Sequence, residues 1–110
     1  MAQTIDLSVL TQGKVRNLSG HERGVVARRE FGLDRLDRSA EEIAIEVPTD
    51  LTAISPSFAQ GLFAESAHQF GSWEAFARHY KINASPEIVA QIRRGIRSAL
   101  LMRSTDDLPG

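Results

Sequence analysis

Histidines, clustered carboxylates and serines at a helix start are the side chains of this 110-residue chain that could carry chemistry. His21, His68 and His79 lie far apart on different expected elements. No His-x-x-x-His or carboxylate spacing accompanies them, so no metal site is expected. Asp34, Asp37, Glu41 and Glu42 have the types for paired acid–base work, but a charged helix end and loop reads as a solvated face. There is no Cys, which excludes thiolate nucleophiles, disulfides and Cys-held zinc or iron–sulfur clusters. Neither Gly-x-x-x-x-Gly-Lys-Ser/Thr nor Gly-x-Gly-x-x-Gly occurs, and no nucleophile stands beside a base. Ser55 and Ser57 remain, flanking Pro56. Ser55 reads as an N-cap and Pro56 as the first helical residue, where its missing N–H costs nothing.

The elements that must position these serines follow from periodicity. Thr4 to Leu10 alternates, with Ile5, Leu7 and Val9 on one side, and predicts a half-buried strand. Gln12-Gly13 breaks it, and Lys14-Val15-Arg16 reads as a short return strand. Ser19-Gly20-His21-Glu22 has the pattern of a capping box, predicting a helix from about Gly20 to Leu36. Gly24 and Ala27 would let it approach a sheet closely, and Gly32 weakens its far end. Ile43, Ile45 and Val47 mark the next strand, with Glu46 near its C-terminal end. Parallel sheets are usually apolar on both faces, which Ala44 fits.

Phe58, Leu62, Phe63, Ala67 and Phe70 keep helical spacing up to Gly71, a C-terminal stop. Ser72 caps a short turn with Trp73 and Phe76, Tyr80–Asn83 forms a third strand, and Ser85-Pro86 opens a last helix along Ile88, Ile92, Ile96, Ala99 and Leu100. The aromatic residues read as core, with Trp73 and Phe76 the ones that could form a partner patch. The expected architecture is a single α/β domain over 1–110, βαβαβα with a largely parallel sheet. Its ordered core is about 4–103, and 104–110 is a frayed tail.

Apolar residues make up 42% and charged residues 25% of the chain, which suits a domain with a core of its own. The formal net charge of −1 argues against general nucleic-acid binding. The charge is unevenly spread. Lys14–Arg29 is basic, Glu30–Asp50 acidic and Arg78–Arg103 basic, as solvated helix faces often are. No apolar run reaches a membrane span, and Met1–Asp6 has no signal-peptide character, so a cytoplasmic protein is expected.

Ile43-Ala44-Ile45-Glu46-Val47, a short loop, then Ile54-Ser55-Pro56-Ser57-Phe58-Ala59 closely resembles the STAS-like domain family of small bacterial domains. Leu18–Gly24 resembles its Gly/Arg-containing helix start, and Ile82-Asn83 with Ser85 onward its last strand and helix. The resemblance covers roughly residues 4–103. That family is similar to the STAS domains of anti-sigma-factor antagonists, which bind an ATPase-like serine kinase and are switched by phosphorylation of a Ser at a helix start. By position, the resemblance makes Ser55 and Ser57 candidate phosphorylation sites. A helix N-terminus favours a phosphate, whose charge of about −1.5 to −2 can create or abolish a docking surface.

The reading is a non-enzymatic regulatory domain without a cofactor, working by protein–protein contact. Its expected binding surface is the loop Thr49–Ile54 and the helix start, with Thr52, Ser55, Ser57, Phe58 and Gln60 as contact residues. Such surfaces lie beyond the carboxyl ends of strands in open α/β sheets. The partner implied by the resemblance is an ATPase-like kinase or anti-sigma-type protein. Two rivals stand beside it: a nucleic-acid-associated accessory protein using the basic faces at Lys14–Arg29 and Arg93–Arg103, and a small-ligand sensor at the same sheet edge. A homo-oligomer is compatible with all three.

Overall fold

Asp6 decides where the first strand ends. In the computed structural model, which describes residues 3–12 and 14–106 and only the backbone of 102–106, strand β1 spans Gln3–Asp6. The Ser8 amide then donates to Asp6 Oδ1 at 2.9 Å, and the chain turns into a one-turn helix α1, Ser8–Thr11. The alternation from Thr4 to Leu10 is therefore not one strand. An Asx-type bond captures the backbone before the pattern can continue. Leu7 is buried, but Val9, assigned to the same face, is 60% exposed. The expected return strand at Lys14–Arg16 is also corrected. The Lys14 and Val15 amides bond back to the Thr11 carbonyl, and strand β2 is Asn17–Leu18. Gly13, the expected break, lies outside the described residues.

The long helix expected over 20–36 is two helices, α2 (His21–Phe31) and α3 (Leu33–Asp37). Gly32 separates them with φ +69°, its N–H bonded to the Arg28 and Arg29 carbonyls. The capping box does not form. Gly20, at φ +95°, takes the N-cap position, which moves Ser19 out of reach of the first turn. Strand β3 (Ile43–Glu46) ends on the acid, as its pattern suggests. A two-residue strand β4 (Ala53–Ile54) follows, then α4 (Pro56–Phe70). Ser55 caps α4, Pro56 is its first residue, and Gly71 closes it at φ +89°. Ser72 caps α5 (Trp73–His79), and β5 is Tyr80–Asn83. Helix α6 runs Pro86–Asp106 and so takes in residues 104–106 of the expected tail; residues 107–110 lie outside the described residues.

The α/β class and the parallel pairing hold. The sheet order is β1-β3-β5, all parallel, with Ile5 beside Ile45 and Ile45 beside Ile82. β2 and β4 form a separate parallel pair. One face of the main sheet carries buried Ile5, Ile43, Ile45 and Tyr80. The other carries exposed Thr4, Asp6, Glu46, Lys81 and Asn83, with Ala44 half-buried. The expected two-sided apolar sheet is thus corrected: the core sits on one face only.

On that side α4 lies between α2 and α6. A Cβ on Gly24 would come within 2.3 Å of the Phe58 carbonyl oxygen, and one on Gly61 within 2.1 Å of the His21 oxygen. The two glycines let α2 and α4 meet backbone to backbone. Gly24 therefore serves an approach to a helix, not to a sheet. Phe63, Phe76 and Tyr80 fill the space below, their rings edge-on or tilted at centroid distances of 5.0–6.2 Å. Phe76 is buried, and Trp73 is half-buried and stacked on it. No helix among the described residues is long and apolar enough to cross a membrane.

Candidate functional site: the start of α4

The loop that delivers Ser55 is tied down on two sides. Thr52 donates its amide and its hydroxyl to the Arg16 carbonyl, at 2.7 and 3.0 Å. The Ser55 amide donates to the Leu18 carbonyl at 2.8 Å, and the Ile54 amide to Gln91 Oε1 of α6 at 2.7 Å. These bonds fix the direction from which the chain enters α4. Ser55 Oγ then accepts the Phe58 amide at 3.1 Å, satisfying one of the donors that a helix N-terminus leaves free.

The two serines are not equivalent. Ser55 is half-buried and occupied as the cap. Ser57 is exposed, its Oγ 3.0 Å from Ser55 Oγ. Thr52 is also exposed and Gln60 is half-buried. Phe58 is 1% exposed and packs in the core, so its expected role as a partner contact is corrected: apolar burial on the inner face of α4 claims it. Beside the helix start lies a cleft of about 260 Å³ whose walls include Ser19, Ser55, Pro56, Gln91 and Arg94. It brings one arginine next to the positive end of α4.

The carboxylates behave differently from their sequence reading. Asp34 and Glu65 are solvated, but Asp37 is buried, and so is Arg28. Arg28 Nη2 donates to Asp37 Oδ2 and Asp34 Oδ1, both at 2.8 Å. Its Nη1 donates to Ser66 Oγ at 2.7 Å and to the Leu62 carbonyl at 3.2 Å. The Ser66 hydroxyl donates to Asp37 Oδ1 at 2.6 Å, and the Tyr80 hydroxyl donates to the same oxygen. Burial disfavours the charged guanidinium, but the bonds to Asp37 and Asp34 outweigh it and hold Arg28 above its ordinary range. Burial, then the bond to Asp37, push the Tyr80 phenol well above its usual value. No buried side-chain nitrogen or oxygen among the described residues lacks a partner. The cluster is a polar core, fully paired at its buried atoms and bordered by the solvated carboxylates of Asp34 and Glu65. It also removes Arg28 from the basic face expected over Lys14–Arg29.

His68 Nε2 donates to the Ala99 carbonyl at 2.9 Å and His79 Nε2 to the Leu36 carbonyl at 2.8 Å, so both rings serve as ties between elements. The basic stretch on α6 does form a surface: Arg93, Arg94 and Arg97 are exposed and line a shallow hollow with Ser98 and Leu101.

No family model, no curated protein and no solved structure matches the chain.

Proposed function

We propose that the chain is a non-enzymatic regulatory domain whose contact surface is the start of α4, with Ser57 as the residue a kinase modifies. The observation that carries this reading is the division of labour between the serines. Ser55 is engaged as cap, while Ser57 presents its hydroxyl to solvent at the second position of the helix. A phosphate on Ser57 would meet the positive dipole of the helix start. The loop bonds at Thr52, Ile54 and Ser55 hold that surface ready-made, which limits the ordering cost of docking. The STAS-like resemblance supplies the partner class, an ATPase-like kinase or anti-sigma-type protein.

The direct test is phosphosite mapping by mass spectrometry after incubating the purified chain with ATP and lysate. The expected product carries phosphate on Ser57 and not on Ser55. Phosphate on neither residue, or on Ser55 alone, contradicts the reading.

A nucleic-acid role keeps one observation in its favour, the Arg93, Arg94 and Arg97 surface of α6. It would show as binding that weakens steeply with salt and with charge reversal at Arg94 and Arg97.

A further inference from the structure

We propose that the free edge of β5 takes up an extended peptide of a partner protein as a fourth, antiparallel strand, the peptide carrying an apolar residue followed by an acidic one. β5 is the outer strand of the sheet: β3 pairs with it on one side, and among the described residues no strand pairs with it on the other. Along a strand, backbone groups alternate in direction. The Asn83 carbonyl accepts the Val47 amide at the end of β3. Asn83 and Lys81 therefore turn their groups toward β3, and Ile82 turns its N–H and C=O outward. The Tyr80 N–H also points outward but is bonded to the Phe76 carbonyl at the end of α5. Ile82 is left as the residue able to exchange a pair of N–H···O bonds with an incoming antiparallel strand.

The side chains beside this edge specify what would fit. A trough of about 250 Å³ runs along β5, walled by Trp73 and Ala77 of α5 and Val89 of α6. These three and Ile82 are half-buried, so the trough is an apolar surface without a covering element. Ile82 lies in register with Ile45 and Ile5, on the helix side of the sheet. A strand residue opposite Ile82 would send its side chain to the same side, into the trough. Its two neighbours would project to the open face, the following one opposite Lys81, which is exposed and makes no ion pair among the described residues, and the preceding one opposite Asn83, whose side-chain amide donates to Glu46. An apolar residue followed by an acidic one meets both demands.

A second copy of this edge supplies the apolar residue but not the acidic one. Ile82 is flanked by Lys81 and Asn83, with no acid, and a second copy would bring its own α5 and α6 against the same wall. The acidic strand β1 of another copy is unsuitable as well, because its Ile5 is already buried in the core.

The test is selection from a phage-displayed library of random nine-residue peptides on the wild-type chain, with counter-selection on Ile82→Pro. That substitution removes the outward donor at an edge position, where proline is tolerated. The expected result is enrichment of peptides in which an apolar residue is followed by an acidic one. Their affinity should fall at least tenfold on Ile82→Pro and on N-methylation of the central apolar residue of the peptide. Lys81→Glu should shift the residue after the apolar one from acidic to basic in the enriched peptides. The N-methylated peptide decides the matter even if Ile82→Pro does not fold. The proposal is overturned if no apolar-then-acidic sequence is enriched, if N-methylation leaves binding unchanged, or if the wild-type chain instead pairs with itself through this edge.

Discussion

Arg28 Nη2 lies 2.8 Å from Asp37 Oδ2, with 7% and 1% of the two side chains exposed. This ion pair joins α2 to the end of α3, and through Ser66 and Tyr80 it reaches α4 and β5. It is a polar anchor inside an otherwise apolar core. Burying both charges is costly, and the pair stands because every partner is present.

Removing one partner should therefore be far worse than removing both. Asp37→Ala leaves the buried guanidinium with only the solvated carboxylates of Asp34 and Glu65 as ion partners, takes the acceptor from Ser66 and Tyr80, and should cost about 3 kcal/mol in urea unfolding. The double variant Arg28→Met, Asp37→Leu should cost less than Asp37→Ala alone. A double variant at least as unstable as the single one would mean that the pair stabilises the fold outright.

Alkaline pH should weaken the fold through Tyr80. Its folded phenol titrates above the ordinary value of 10.0, because burial and the bond to Asp37 both disfavour the phenolate. In the unfolded chain Tyr80 loses its proton near pH 10. The stabilisation is therefore fully present below that pH and is lost as pH rises beyond it. Thermal melts between pH 8 and 11 should show a falling midpoint in the wild type and a shallower fall in Tyr80→Phe. Parallel slopes would assign the loss to other groups.

The contact between α2 and α4 should tolerate no side chain at its centre. Gly24→Ala and Gly61→Ala each place a Cβ against backbone atoms that cannot move aside, and each should cost about 1–3 kcal/mol or more. Gly71→Ala meets nothing within 4 Å but sits at φ +89°, so it should cost about 1 kcal/mol from backbone strain alone. Chemical denaturation of the three variants separates crowding from strain.

The boundaries of α4 and β5 were legible because they depend on neighbours in sequence. Ser55, Pro56 and Gly71 are stop and start signals that act within one turn. The same locality misled at β1. Hydrophobic alternation continues through Val9, but the bond from Ser8 to Asp6 outweighs it, and that bond spans two residues only. Strand β4 has two residues, too few to show a period.

Asp37 was hidden for the opposite reason. Its partners are nine, 29 and 43 residues away, and a carboxylate among other charges reads as solvated until the fold brings Arg28, Ser66 and Tyr80 to it. The one available signal was Arg28 itself. It lies four residues after Gly24, on the buried face of α2. At the candidate site, the cap at Ser55 was readable, but the burial of Phe58 and the exposure of Ser57 depended on which face of α4 the core takes.

The capping and the exposed serine should separate cleanly in stability. Ser55→Ala removes the acceptor for the Phe58 amide and should cost about 1 kcal/mol, whereas Ser55→Asp keeps a good cap and should cost little. Ser57→Ala should stay within about 0.5 kcal/mol of wild type, as exposed substitutions usually do. Equal losses at both positions in urea unfolding would show that Ser57 shares the structural duty.

The most direct measurement is a quantitative affinity pulldown from native lysate with wild-type, Ser55→Asp and Ser57→Asp baits, each checked for folding by circular dichroism. The account predicts that one ATPase-like protein is retained by wild type and Ser55→Asp and lost with Ser57→Asp. Equal retention by all three baits, or recovery of nucleic acid alone in a salt-sensitive way, would contradict it.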